Sequence, residues 1–170
     1  MNKTILITGS NSGIGKITAE YFAERNWQVI ATMRNTEKAG KMKMHPNISI
    51  YQLDVTDTES IRKAKDAILS DFDKVDLVLN NAGFGCYGAF EPIMESEIDR
   101  QIAVNIKGVM MMTKIFLEHF RKNRNGLFIN ISSIAGLVSY PLASMYVSSK
   151  WAVEGFTEAI YYELRPLNVR

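Results

Sequence analysis

Thr4-Ile5-Leu6-Ile7-Thr8-Gly9-Ser10-Asn11-Ser12-Gly13-Ile14-Gly15 is the stretch that decides the fold. A short run of β-favouring residues enters a glycine-rich turn. A helical pattern then runs from Gly13 to Arg25, with apolar residues at Ile14, Ile17, Tyr21 and Phe22. The glycines allow a tight turn and close backbone approach. The unpaired N–H groups and positive dipole end of the following helix suit a pyrophosphate. An ordinary glycine-rich turn is the plainer alternative. No Gly-Lys-Ser/Thr follows, which excludes a P-loop.

Outward from this unit, short strand-like runs alternate with helical ones. Trp27–Met33, Ile48–Leu53, Val75–Leu79 and Leu127–Ser132 read as strands, and Asn35–Pro46 as a loop or short helix. Thr56-x-x-Glu59 reads as a capping box before a helix whose face is Ile61, Ala64, Ile68 and Phe72. One long helix is expected from about Glu95 to Phe120. Its stripe is Ile98, Ile102, Ile106, Val109, Thr113, Phe116 and Phe120, with Arg121, Lys122 and Arg124 at its end and Gly126 as its stop. A last helix spans Tyr146 to Leu164, ended by Pro166. Alternating strands and helices imply one α/β domain over residues 1–170: a doubly wound parallel sheet, in three layers.

Composition narrows the function. The chain has 170 residues, 46% of them hydrophobic, which suits one globular domain. Twenty Lys+Arg against 18 Asp+Glu give a net charge of +2, no footprint for a nucleic acid. A single cysteine, Cys86, makes no internal disulfide and fits a reducing compartment. With only His45 and His119 beside it, no zinc site and no metal is expected. The apolar run between Lys3 and Gly9 is too short for a secretory leader, and no stretch reaches the ~18 apolar residues of a membrane span. The expectation is a cytoplasmic protein with no membrane partner.

Two places carry chemistry. At the end of the second strand, Met33 stands where a carboxylate would bind the ribose of NAD, and Arg34 follows. A guanidinium matches a phosphate, so NADP is favoured over NAD, although Arg34 also reads as a solvated loop residue. Tyr146-Val147-Ser148-Ser149-Lys150 puts a phenol and an ammonium at i and i+4 on one helix face. A cation lowers the pKa of a tyrosine, about 10 when free, and equips it as a general acid or base for a carbonyl/alcohol pair. Asn130-Ile131-Ser132-Ser133 ends the fifth strand, where a serine can bond a substrate oxygen or merely cap a turn. Asn105, inside the long helix, is either solvent-facing or a buried amide holding a water near Lys150.

Together these residues resemble the short-chain dehydrogenase/reductase family. The match comprises T-G-x-x-x-G-x-G at Thr8–Gly15, Asn81-Ala82-Gly83, Asn105, Ser133 and Tyr146-x-x-x-Lys150. Ser133 precedes Tyr146 by 13 positions, the family interval, which selects it over Ser132. The resemblance implies that Tyr146 is the proton donor or acceptor, Ser133 orients the substrate carbonyl, Lys150 holds the nicotinamide ribose and lowers the Tyr146 pKa, and Asn105 supports a relay water. It implies cofactor contacts from Gly9, Ser12, Gly13, Ile14, Gly15, Arg34, Asp54, Asn81, Ala82 and Gly83, with Tyr146 and Lys150. Ala31–Asn35 and Lys150–Phe156 resemble the branch of hydroxysteroid and retinol dehydrogenases, implying a hydrophobic alcohol, ketone or aldehyde substrate. The family pairs its long and last helices, implying a homo-oligomer.

Family members continue past the position of Arg170 with further strands and a substrate loop. The resemblance therefore implies a fragment lacking the last strands of the fold, with a bare edge at Leu127, Phe128, Ile129 and Ile131. A catalytically impaired nucleotide-binding fragment stays open beside the oxidoreductase. A sugar-nucleotide epimerase, typically T-G-x-x-G-x-x-G, fits less well because Ser12 replaces its second glycine.

Overall fold

The computed structural model describes residues 3–170, and at its centre lies β1 (Thr4–Thr8), buried along its whole length. Strands β2 (Gln28–Met33) and β3 (Ile48–Gln52) lie to one side, β4 (Leu77–Asn80) and β5 (Leu127–Asn130) to the other. The order is β3-β2-β1-β4-β5, all parallel. The strand order reverses between β1 and β4, which opens a crevice at their carboxyl ends.

Strand alternation divides the core. Leu6, Ile30 and Val78 face one side, where they meet Ile61 and Ile68 of α2 (Thr58–Asp71) and Met112, Phe116 and Phe120 of α4 (Val109–Asn123). Ile5, Ile7, Val29, Ala31, Leu77 and Leu79 face the other side, against Ala19 and Ala23 of α1 (Gly13–Ala23). Helix α5 (Ser144–Leu164) packs with Leu164 and half-buried Ile160 on the first side. Each fully buried side chain of this size contributes about 1.5–3 kcal/mol.

Four local expectations are corrected. Ile14, Ile17 and Tyr21 are exposed, because α1 turns its small side, Gly15, Ala19 and Ala23, to the sheet for closer approach. The cap of α2 is Asp57, whose carboxylate accepts from the Glu59 amide at 2.9 Å. Thr56 instead donates its hydroxyl to Asp54, so the Thr56 capping box is absent. The helix from 95 is interrupted: α3 (Glu95–Ile102) passes into a π-segment, Ala103–Gly108, before α4. The one-residue excess rotates the stripe, leaving Ile102 41% exposed while Val109, Thr113, Phe116 and Phe120 stay buried. Arg124 in the left-handed region ends α4; Gly126 does not, but lies against the Phe120 ring.

The segment after β2 is a 3₁₀ helix, Thr36–Met44, kinked at Gly40. Beyond α5 the chain already runs alongside β5. Val169 bridges Gly126, and the Phe128 amide donates to the Arg170 carbonyl at 2.7 Å. The edge expected bare is thus partly paired: Phe128 is buried, while Ile129 is exposed.

Candidate active site

A cleft of about 730 Å³ lies over the carboxyl ends of the strands. Such a volume is of the size of small-molecule sites, roughly 300–1,000 Å³. At one end are Gly9, Ser12, Gly13, Ile14, Arg34 and Asp54; at the other, Ser133, Tyr146 and Lys150; Asn81, Ala82 and Gly83 lie between.

The glycine end is shaped by close contacts. Gly9 has φ +68°, and a Cβ there would meet Ala82 at 3.0 Å, so only glycine fits without strain. Gly15 is different: it is buried behind the loop, where a Cβ would strike the Asn81 amide nitrogen. Its part is to let α1 approach β4, and it does not line the cleft. The Asn81 amide is spent on the loop too, donating to the carbonyls of Thr8 at 2.9 Å and Gly9 at 3.3 Å. The Thr8 hydroxyl accepts from the amides of Asn81 and Ala82, both at 3.0 Å. Asp54 accepts from the Thr56 amide and hydroxyl, which fixes its carboxylate at the cleft wall. Arg34 is exposed at the rim, whereas Met33 is buried in the core and shows only its edge to the cleft.

The residues present fit a dinucleotide phosphate. Ser12 caps α1 by position but makes no side-chain bond there, and the first turn holds no acidic residue. The N–H groups of that turn and its dipole are therefore left for an anion.

At the other end, α5 turns Tyr146 and Lys150 toward the cleft. The Lys150 ammonium lies 5.7 Å from the centre of the Tyr146 ring and donates to the Ile131 carbonyl at 2.7 Å. Burial pushes this ammonium below the usual lysine range, and Glu154 one turn later partly restores it. Ser133 accepts from the Ala135 amide at 3.2 Å, so it caps the 134–136 turn yet keeps its own proton for another acceptor. The Ser132 hydroxyl is buried without a partner among the described residues.

Asn105 is buried, not solvent-facing. Its amide donates to the Phe84 carbonyl at 2.8 Å and to Ser149 at 3.0 Å, and it accepts from the Phe84 amide at 3.1 Å. Asn105 and Lys150 close in on Gly83: a Cβ there would lie 3.3 Å from the Asn105 oxygen and 3.8 Å from the Lys150 nitrogen. The amide is thus occupied by protein groups, which leaves only spare capacity on its oxygen for a water.

Sequence reasoning missed three contributors. Gln101, wholly buried one turn before Asn105, accepts from the Cys86 amide at 2.7 Å and holds the loop after Gly83. Its signal was a second polar residue on the core side of the same helix. Arg100 lies over the Phe84 ring at 5.1 Å and lines the cleft with Val104. Tyr87 packs its ring 5.4 Å from that of Tyr146.

Residues 3–170 match the family described as short chain dehydrogenase. The chain belongs to that family. Among curated relatives, the 3-ketodihydrosphingosine reductase of Bacteroides thetaiotaomicron is 41% identical over 167 residues, 98% of this chain and 60% of that protein. The uncharacterized oxidoreductase YusZ of Bacillus subtilis is 40% identical, over 99% of this chain and 62% of that protein. This short chain dehydrogenase sequence thus spans about 60% of the length of such relatives. Of solved structures, ElxO with NADP bound superposes with a TM-score of 0.95 at 35% identity, covering 100% of this chain and 71% of that one. A short-chain dehydrogenase of Streptomyces avermitilis also gives 0.95, at 31% identity, covering 100% of this chain and 63% of that one. No helix among the described residues is long and apolar enough to cross a membrane.

Proposed function

We propose that this chain carries the cofactor-binding and catalytic part of an NADP(H)-dependent oxidoreductase that interconverts an alcohol and a carbonyl compound. The carrying observation is that Tyr146, Lys150 and Ser133 line one end of the cleft whose other end is the glycine turn and Arg34. The relative solved with NADP bound supports the choice of cofactor. Gly9, Ser12, Gly13 and Ile14 would hold the pyrophosphate, Arg34 the 2′-phosphate, Asp54 the adenine and Lys150 the nicotinamide ribose. When bound, NADP(H) supplies or accepts the hydride.

The chain's own part is positioning and proton transfer. Ser133 donates its free proton to the substrate oxygen and orients it beside Tyr146. In reduction the Tyr146 hydroxyl gives its proton to that oxygen; in oxidation the phenol oxygen takes it back. The Lys150 ammonium attracts the negative charge left on the phenol. Asn105 holds the Phe84 backbone and Ser149 in place, so Gly83 stays between the two ends of the cleft.

An apolar substrate is favoured by exposed Ile134, Leu137, Val138 and Leu142 on the segment after Ser133, and by Tyr87 and Phe90 opposite. The Gly88 amide joins these segments through the Leu142 carbonyl at 2.8 Å. Exposed Met110, Trp151, Tyr161 and Tyr162 on α4 and α5 support pairing of two copies, and the single cysteine supports a cytoplasmic setting.

The test is Tyr146→Phe in the full-length protein. NADPH binding, followed by its fluorescence, is expected to persist while ketone reduction falls about 10²–10⁴-fold. Reduction at the parent rate would refute the assignment. NADPH binding without consumption in the parent, over a panel of ketones and aldehydes, would point to a nucleotide-binding role instead.

A further inference from the structure

We propose that Asn130 and Thr157 are positioning residues: an amide–hydroxyl strut from the sheet to α5 that sets where Lys150 and Tyr146 stand over the strand ends. The inference rests on the reading of Tyr146 and Lys150 as the reacting pair. The strut begins on β4, where the Asn80 amide donates to the Asn130 oxygen at 2.8 Å; the two residues are register partners. The Asn130 amide then donates to the Thr157 hydroxyl at 2.9 Å, and that hydroxyl donates to the Val153 carbonyl at 2.6 Å. Backbone bonds complete the frame. The Ile131 amide donates to the Asn80 carbonyl at 2.9 Å, and the Ile131 carbonyl accepts from Lys150 at 2.7 Å.

The end of β5 therefore grips α5 at two heights. Lys150 and Thr157 are seven residues apart, two turns or about 10 Å along one face of a helix. One attachment leaves a helix free to pivot or slide; two fix its depth and rotation together. Elsewhere on this part of α5 the Asn105 amide bonds Ser149 at 3.0 Å, which ties the helix to the π-segment and not to the sheet. The buried Val147 and Val153 add apolar contact, which is non-directional. Hydrogen bonds are directional, so the strut supplies what the packing lacks. Asn80 is itself buried, and its amide is given to the strut. Asn80, Asn130 and Thr157 all lie outside the cleft lining. They act through Lys150 and Tyr146 and do not touch a ligand themselves.

The test uses the full-length protein with Thr157→Val, which keeps the shape and loses the hydroxyl, and Thr157→Ser, which keeps the hydroxyl. One readout is kcat and KM for NADPH-dependent reduction of 2-decanone. The other needs no turnover: the pH titration of the Lys150 ammonium in ¹⁵N-lysine-labelled protein, its signal assigned by loss in Lys150→Arg. The titratable groups around that ammonium are Tyr146 and Glu154 of its own helix; β5 and the π-segment face it with the Ile131 carbonyl and the Asn105 amide. Thr157→Val is expected to lower kcat roughly tenfold or more with little change in KM, and to move the Lys150 midpoint. Thr157→Ser is expected to keep both at the parent values. An unmoved midpoint in Thr157→Val overturns the proposal, as does a Thr157→Ser protein impaired as badly as Thr157→Val. If Thr157→Val does not fold, Thr157→Ala carries the same comparison. Tyr146→Phe separates the two ideas: reduction of 2-decanone at the parent rate would remove the functional reading, while the Lys150 titration would still decide the strut.

Discussion

Replacing Thr8 by valine removes one hydroxyl and keeps the side-chain shape. That hydroxyl accepts from the amides of Asn81 and Ala82, both at 3.0 Å, and donates to the Leu79 carbonyl at 3.4 Å. Thr8 is 1% exposed, so water cannot take its place. A buried N–H left without an acceptor costs about 1–3 kcal/mol. Asn81 and Ala82 are half-buried, which puts each at the lower end and the pair at about 2–4 kcal/mol. For a domain of this size that is a fall in Tm of about 5–15 °C. Chemical denaturation should show a lower midpoint at unchanged slope, as expected when only stability changes. NADPH affinity, read by fluorescence titration, should weaken as well, because the freed segment carries Asn81 to Gly83 along the cleft. Thr8→Ser should recover most of both losses. A Thr8→Val protein destabilised by less than about 1 kcal/mol, or a Thr8→Ser protein no better than valine, would refute the bracket between β1 and the end of β4.

Arg34→Ala is expected to weaken NADPH by roughly 10–100-fold, the size of one charge-assisted bond, and NADH hardly at all; equal losses in parallel titrations would count against the phosphate contact. His119 accepts from the Val75 amide at 3.1 Å, and burial holds its pKa below the usual histidine value of 6.5. Its folded pKa being the lower, the unfolded chain binds the extra proton first. Its contribution is present above about pH 6.5 and declines as the pH falls through the folded value. Urea midpoints from pH 8 to 5 should show the decline, and His119→Gln should flatten it. Gly126→Ala would drive a methyl group into the buried Phe120 ring, whose centre lies 4.7 Å from that of the Phe128 ring, tilted against it. A loss of about 1–3 kcal/mol is expected, measured by thermal unfolding.

The sheet was legible in the sequence because its strands are short, apolar and spaced by helices, and parallel strands buried on both faces leave that signature. β1 is recovered to the residue, and Asn105, Ser133, Tyr146 and Lys150 all reach one region of the cleft or its wall. What was not legible depends on partners distant in sequence. Ile14, Ile17 and Tyr21 form a plausible apolar face until the sheet demands the small residues Gly15 and Ala19 instead. Thr56 and Asp57 are equally good caps by type, and only the grip of Asp54 on Thr56 decides between them. Gly15 carries the motif of a cofactor contact, yet it lies off the cleft against the Asn81 amide, whereas Asn81 lines the cleft while that amide bonds the Thr8 and Gly9 carbonyls. Asn130 and Thr157 are distant in sequence, and nothing local announces that they meet.

The π-segment at Ala103–Gly108 makes the helix that contains Asn105 a sequence with one residue too many for its own ladder. In a regular α-helix each residue advances the angle by about 100°. Deleting one residue from the segment would let the ladder close, so the helix should tolerate the loss locally. Everything before the deletion would then swing by about that angle relative to α4. Arg100, Gln101 and Val104 would leave the cleft and its loop together, while Met112, Phe116 and Phe120 kept their seats in the core. The extra residue thus works as an angular offset between two halves of one rod, letting the core set one half while the cleft sets the other.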